Sequence, residues 1–208
     1  MLGKIISFEG IEGTGKSTQI QKLKTFLDTK NIDSVTIREP GNTYIGERIR
    51  YLLQYDSNVH NMCAETELLL FEASRAQLVR EVILPMIHKN TWVICDRFFD
   101  SSMAYQGTAR QLSEKIVCQL NHFAAGSCVP DLTILLDIDV DLALQRLQQR
   151  KIQKDRIENE SIEFFKHVRE RYLRLAKEES RFFTVDATLP VETITEKICT
   201  HVQKRFDL

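Results

Sequence analysis

Gly10, Gly15, Lys16 and Ser17 fit the spacing G-x-x-x-x-G-K-[ST] within "FEGIEGTGKSTQ" at residues 8–19. Glycines let the chain turn so that successive backbone N–H groups converge. With the positive end of the helix that follows, such a nest holds a polyphosphate. The nest spans Gly10, Ile11, Glu12, Gly13, Thr14 and Gly15, and Lys16, Ser17 and Thr18 open the helix. Lys16 can reach the β- and γ-phosphates of a nucleoside triphosphate, and the Ser17 hydroxyl can take a Mg²⁺ site. The motif follows an apolar run and opens an amphipathic one, "KSTQIQKLKTFL", which is the context a phosphate loop needs. The chain carries neither D-x-x-G nor N-K-x-D, which speaks against a guanine-nucleotide switch. A mechanical ATPase would normally bring a larger domain or partner-binding extensions. A small-molecule kinase remains, and it needs an acceptor pocket and a means of excluding water.

Two stretches suit the acceptor side. In "WVICDRFFDSSMAYQG", Asp96 closes an apolar run, at the strand edge where open α/β sheets bind ligands. A carboxylate there can hold Mg²⁺ through water, and Arg97 can bridge donor and acceptor phosphates. The same pair also reads as a local ion pair or cap. In "ETELLLFEASRAQLVREVI", Leu68, Phe71, Arg75, Leu78 and Val82 share one helical face. A guanidinium inside an apolar stripe requires a carboxylate, a carbonyl or a ligand. With Phe71 one turn away, an aromatic plane and a hydrogen-bond fork can meet a flat base with carbonyl edges. The bland alternative makes Phe71 core filler and lets Arg75 snorkel or pair with a glutamate.

These residues need a frame. Five short apolar runs, "KIISF", "SVTI", "WVIC", "LTILLD" and "FFTV", suit buried parallel strands. Helical patterns separate them, at residues 16–29, 43–54, 65–88, 113–125, 139–150, 159–179 and 191–206. The alternation predicts an α/β, three-layer fold with a parallel sheet of about five strands. The polar segment "QRKIQKDRIE" interrupts this order and is a candidate closing lid. At 208 residues the chain suits one domain, or one domain with a lid. A net charge of −1 gives no electrostatic case for a nucleic-acid or membrane partner. No run approaches membrane-spanning length. Cys63, Cys95, Cys118, Cys128 and Cys199 are unclustered, which reads as reduced thiols in a cytosol-like compartment.

At this point the sequence resembles the thymidylate kinase family. "FEGIEGTGKSTQ", "REPGNTYIGERIR", "LLLFEASRAQ" and "DRFFDSSMAYQG" match its segments in order, and "PDLTILLDID", "DRIE" and "DAT" extend the match along nearly the whole chain. The resemblance implies a P-loop nucleoside monophosphate kinase fold, with residues 1–208 as one domain and a lid about residues 149–157. It implies transfer of the γ-phosphate of ATP to dTMP with Mg²⁺, a step toward dTTP. A cytoplasmic homodimer is implied as well. By the same resemblance Phe71 stacks on thymine, Arg75 bonds a thymine carbonyl, and Ser102 and Gln106 lie near the base. Tyr105 packs where a ribose would carry its 2′-hydroxyl, and Glu12 lies near the deoxyribose. Arg50 and Arg97 meet the dTMP phosphate, and Glu39 and Pro40 line the acceptor loop. No basic residue stands inside the phosphate loop, so the chain resembles the bacterial type, whose catalytic arginine is in the lid. Arg150 is the first choice and Arg156 the second, beside Lys151 and Lys154. The family's usual "REPGG" is "REPGN" here, and Asn42 is a residue that tolerates the left-handed turn. Phe98 stands where tyrosine or histidine is common.

Overall fold

The five apolar runs form one parallel sheet in a computed structural model that describes residues 3–56, 58–59, 61–149 and 155–208. The strands are β1 (Ile5–Glu9), β2 (Ser34–Arg38), β3 (Trp92–Asp96), β4 (Leu132–Asp137) and β5 (Phe182–Asp186), in the order β2-β3-β1-β4-β5. β1 is central, with Ser7 opposite Cys95 on β3 and Thr133 on β4. Its side chains alternate between two cores, as strand geometry dictates. Ile6 and Phe8 join one core with Leu23, Phe165 and Val168, and Ile5 joins a second with Leu78, Ile83 and Cys95. This is the three-layer arrangement the alternation predicts.

Helices α1 (Lys16–Thr29), α2 (Tyr44–Gln54), α3 (Ala64–Leu78) and α4 (Leu84–His88) precede β3. After it come α5 (Phe99–Ser102), α6 (Glu114–Ala125), α7 (Val140–Gln148), α8 (Ile162–Glu178) and α9 (Val191–Phe206). The helix predicted over 65–88 is α3 and α4 joined through a π-helical turn, Val79–Ile83. Pro85 explains the wide turn. It has no N–H to donate, and its ring crowds the carbonyl four residues back. The segment Phe99–Ala109, for which the sequence predicts no helix, is α5 continued by a second π-helical stretch, Met103–Ala109. Most of the predicted lid, with Arg150, Lys151 and Lys154, lies outside the described residues; Asp155 onward is described. Among the described residues no helix is long and apolar enough to cross a membrane.

The topology fixes where a ligand can sit. The chain leaves β1 through α1 toward β2, and leaves β3 toward β4 on the other side of β1. Connections that diverge from adjacent carboxyl ends open a crevice there.

Candidate active site

The phosphate loop fills the crevice above β1. Gly13 has φ +79°, and a Cβ on it would lie 2.3 Å from the Ala143 carbonyl oxygen, so no other residue fits. Gly15 begins α1 in the left-handed region, with φ 91°. Lys16 folds back over the loop, and its Nζ donates to the carbonyl oxygens of Gly10 (3.1 Å) and Ile11 (2.9 Å). Burial pushes this ammonium down to about 8, with Arg97 adding to the effect and Asp96 and Glu12 opposing it. Ser17 Oγ donates to Asp96 Oδ2 at 3.1 Å, across the crevice from β3. A hydroxyl beside a carboxylate, facing a phosphate nest, is the sparse oxygen set that Mg²⁺ accepts when phosphates complete its shell. Thr18 is exposed one position further along α1.

Next to Asp96, Arg97 holds a left-handed backbone, with φ 68°. Its Nη2 donates to Glu12 Oε1 (2.8 Å) and to the Tyr105 hydroxyl (3.0 Å), while Tyr105 donates to Glu12 Oε2 at 2.8 Å. Glu12, Arg97 and Tyr105 therefore form one closed triangle between the phosphate loop and the π-helical segment. Burial raises the Tyr105 phenol well above its ordinary range, so it remains a neutral hydrogen-bond donor.

One cleft of about 220 Å³ joins the two halves. Its walls include Glu12, Gly13, Gly15, Lys16 and Ser17 of the glycine-rich loop and α1, with Asp96 at the end of β3. Glu39, Pro40, Arg50, Phe71, Arg97, Ser102, Tyr105 and Gln106, the residues expected on the acceptor side, line the opposite part. Lys16 and Phe71 thus face a shared space. Arg50 Nη1 donates to the Pro40 carbonyl at 3.0 Å, which ties α2 to the acceptor loop. Asn42 takes φ 61°, as the altered turn requires.

Arg75 is placed differently from its neighbours. It is 1% exposed and does not line the cleft. Its Nε and Nη2 donate to Glu39 (2.9 and 2.7 Å), and its Nη1 to Glu72 (2.6 Å), Ser102 (3.1 Å) and Asn121 (2.8 Å). Burial works against the charge, yet Glu39 and Glu72 hold the guanidinium above its usual range. Arg75 stands behind the acceptor wall and fixes Glu39 and Ser102, which do line it. Arg156 is also occupied: its Nη2 donates to Glu67 at 2.6 Å and its Nε to the Leu53 carbonyl at 2.8 Å. Arg150 lies outside the described residues.

The cleft recruits residues that the sequence reading did not single out as site residues. Arg38, Gln54, Ser101, Asp155, Ile157 and Glu158 line it. Asp155, Ile157 and Glu158 lie in "DRIE", so the motif was visible although its cleft-facing members were not. Glu9 and Tyr172 lie beneath it. The Tyr172 ring is buried, among Phe164, Phe165 and Leu175 of the core.

The crevice, the phosphate loop and the opposed acceptor wall define a P-loop nucleotide-binding fold of the kinase type. A model of the thymidylate kinase family matches residues 8–198. The chain is 49% identical over 194 residues to a thymidylate kinase of Kosmotoga olearia, covering 93% of this chain and 92% of that one. It is 46% identical over 193 residues to that of Fervidobacterium nodosum, at 93% and 95% coverage. To the thymidylate kinase of Thermosipho africanus it is 44% identical over 201 residues, at 97% and 98% coverage. The chain belongs to the thymidylate kinase family.

Proposed function

We propose that the protein transfers the γ-phosphate of ATP to dTMP, yielding ADP and dTDP. The observation that carries this is one shared cleft with Lys16 and Ser17 on one wall and Phe71, Tyr105 and Arg97 on the other. An oxygen of the dTMP phosphate attacks the γ-phosphorus in line while the bond to the ADP oxygen breaks. That nucleophile carries no proton at neutral pH, because phosphate monoesters lose their second proton at about pH 6. No general base is required, so the chain's task is to position both nucleotides and neutralise charge. Phe71 offers the pyrimidine a face. Tyr105 and Glu12 close the space beside the sugar, favouring deoxyribose over ribose. Arg97 and Arg50 hold the acceptor phosphate, and Lys16 holds the β- and γ-phosphates. Mg²⁺ held by Ser17 and Asp96 would neutralise phosphate charge when bound. A lid about residues 149–157 closing over the cleft, with Arg150 supplying the cation for the transferred group, excludes water.

We also propose a homodimer. Helix α3 packs between α2 and α6, and all three expose apolar side chains: Ile45 and Leu52 on α2, Leu69 on α3, Ile116 and Phe123 on α6.

ADP release from ATP across a panel of nucleoside monophosphates tests the reaction. dTMP gives the highest kcat/KM, and ADP release without an acceptor stays at background. A preference for dCMP, dGMP or UMP, or equal turnover without acceptor, overturns the assignment.

A further inference from the structure

Glu9 ends β1 with no exposure at all, and the reaction outlined above gives it nothing to do. Its hydrogen bonds all lead to Arg97. Oε1 accepts from the backbone N–H of Phe98 at 2.8 Å, the amide directly after Arg97. Oε2 accepts from the Ser101 hydroxyl at 2.7 Å and from the Tyr172 hydroxyl at 2.8 Å. Those two hydroxyls in turn accept from Arg97 Nη1, at 3.2 and 3.1 Å. One carboxylate therefore grips Arg97 at both ends: the backbone through the next amide, and the guanidinium through two hydroxyl bridges.

We infer that Glu9, acting through Tyr172 and Ser101, is the positioning residue for Arg97, and that α8 is thereby coupled to the acceptor-phosphate end of the cleft. Three features favour this over a plain structural anchor. A left-handed φ at a long side chain costs free energy and persists only where the surroundings over-determine it. A carboxylate that merely pinned the turn after β3 would need only the oxygen that meets Phe98. Finally, burial, with Asp100 next in weight, pushes the Glu9 carboxyl up to about 7, while Arg97, Ser101 and Tyr172 pull the other way. A buried acid kept at such expense is better explained by what it holds than by the stability it confers. With Nη1 committed to the Glu9 side, the Nη2 edge, beside Glu12 and Tyr105, is turned toward the cleft.

The inference rests on the assignment of Arg97 to the dTMP phosphate, and one experiment separates the two. Calorimetry measures the preference for dTMP over thymidine, which lacks the phosphate, in full-length protein. Arg97→Ala abolishes most of this preference. Glu9→Gln keeps the volume and can keep the bond from Phe98, but it turns an amide N–H₂ toward hydroxyls that need an acceptor. It lowers the preference about tenfold, the scale of a misplaced charge-assisted hydrogen bond, and leaves thymidine and ATP affinity within about twofold. Added to Arg97→Ala, it costs nothing further. Tyr172→Phe keeps the ring, removes one bridge and shows a smaller loss of the same kind, which serves where Glu9→Gln does not fold. If Arg97→Ala changes the preference while Glu9→Gln and Tyr172→Phe do not, the positioning role is overturned. The same follows if they cost as much in the Arg97→Ala background. If Arg97→Ala itself leaves the preference intact, the phosphate assignment falls, and the positioning role with it.

Discussion

The proposed donor half of the chemistry rests on one ammonium, Lys16, whose hydrogen-bond partners among the described residues are two backbone carbonyls. Burial already pushes it down to about 8. An arriving triphosphate replaces neutral carbonyls with anionic oxygens and raises that pKa again. Binding therefore favours the protonated lysine, and ATP affinity falls as pH rises above about 8, by up to about tenfold per pH unit until the pKa of the complex is reached. Titration calorimetry at pH 7 and 9 checks the sign. Lys16→Ala removes the pH step, abolishes turnover and leaves dTMP binding largely intact; loss of both activities together would mean that the fold had failed. That lysine was legible because its motif is local, four named positions within eight residues. Arg75 was half legible. Helical spacing put it in an apolar stripe, and the carboxylate alternative was open, but Glu39 stands 36 positions away. Nothing in a helical period can report a partner that the return of β2 toward α3 delivers.

Around Glu67 several elements are fastened together. This carboxylate on α3 is 1% exposed and accepts from Gln106 in the π-helical segment, Arg110 just beyond it, and Arg156 at the end of the proposed lid. Burial opposes its charge, yet the two arginines and Gln106 keep it below the usual carboxylate range. Phe71 lies one helical turn further along α3, so the proposed lid and the proposed base wall share a fastening. Glu67→Gln weakens both ion pairs. It lowers stability by about 1–3 kcal/mol, less than a fully buried pair because both arginines are partly exposed. Trypsin cleavage after Arg156 then accelerates about tenfold, in step with the looser local opening that such an energy permits. Equal cleavage rates in the two proteins would deny Glu67 this role. Most elements were legible because strands and helices kept their periods, and α1 and α9 fall on their predicted bounds. Phe99–Ala109 was not. A π-helical stretch advances by a wider turn than the 3.6 period being sought, and Gly107 within it reads as a break.

The strand runs by themselves imply an α/β sandwich, yet the surface is illegible in them, since periodicity marks apolar positions without saying which of them a partner covers. Phe123 is 77% exposed and Leu69 54%. Together with Ile45, Leu52 and Ile116 they lie on three helices packed side by side. Burying a large apolar side chain completely is worth about 1.5–3 kcal/mol. Two copies bring ten such side chains, each with about half its surface still to bury, which gives roughly 8–15 kcal/mol, comparable with the freedom lost when two chains associate. The face can therefore carry a dimer only if surrounding surface joins in, and a single charge within it is enough to tip the balance. The wild-type chain sediments at the mass of two copies, and Phe123→Asp at the mass of one. The same helices carry Arg50 and Phe71 into the cleft, so separation of the copies reaches the acceptor wall before the phosphate loop. In Phe123→Asp the KM for dTMP rises several-fold, while the KM for ATP changes by less than about twofold. A wild-type monomer at micromolar concentration removes the dimer. A monomeric variant with unaltered dTMP kinetics keeps the dimer but denies that pairing steadies the acceptor wall.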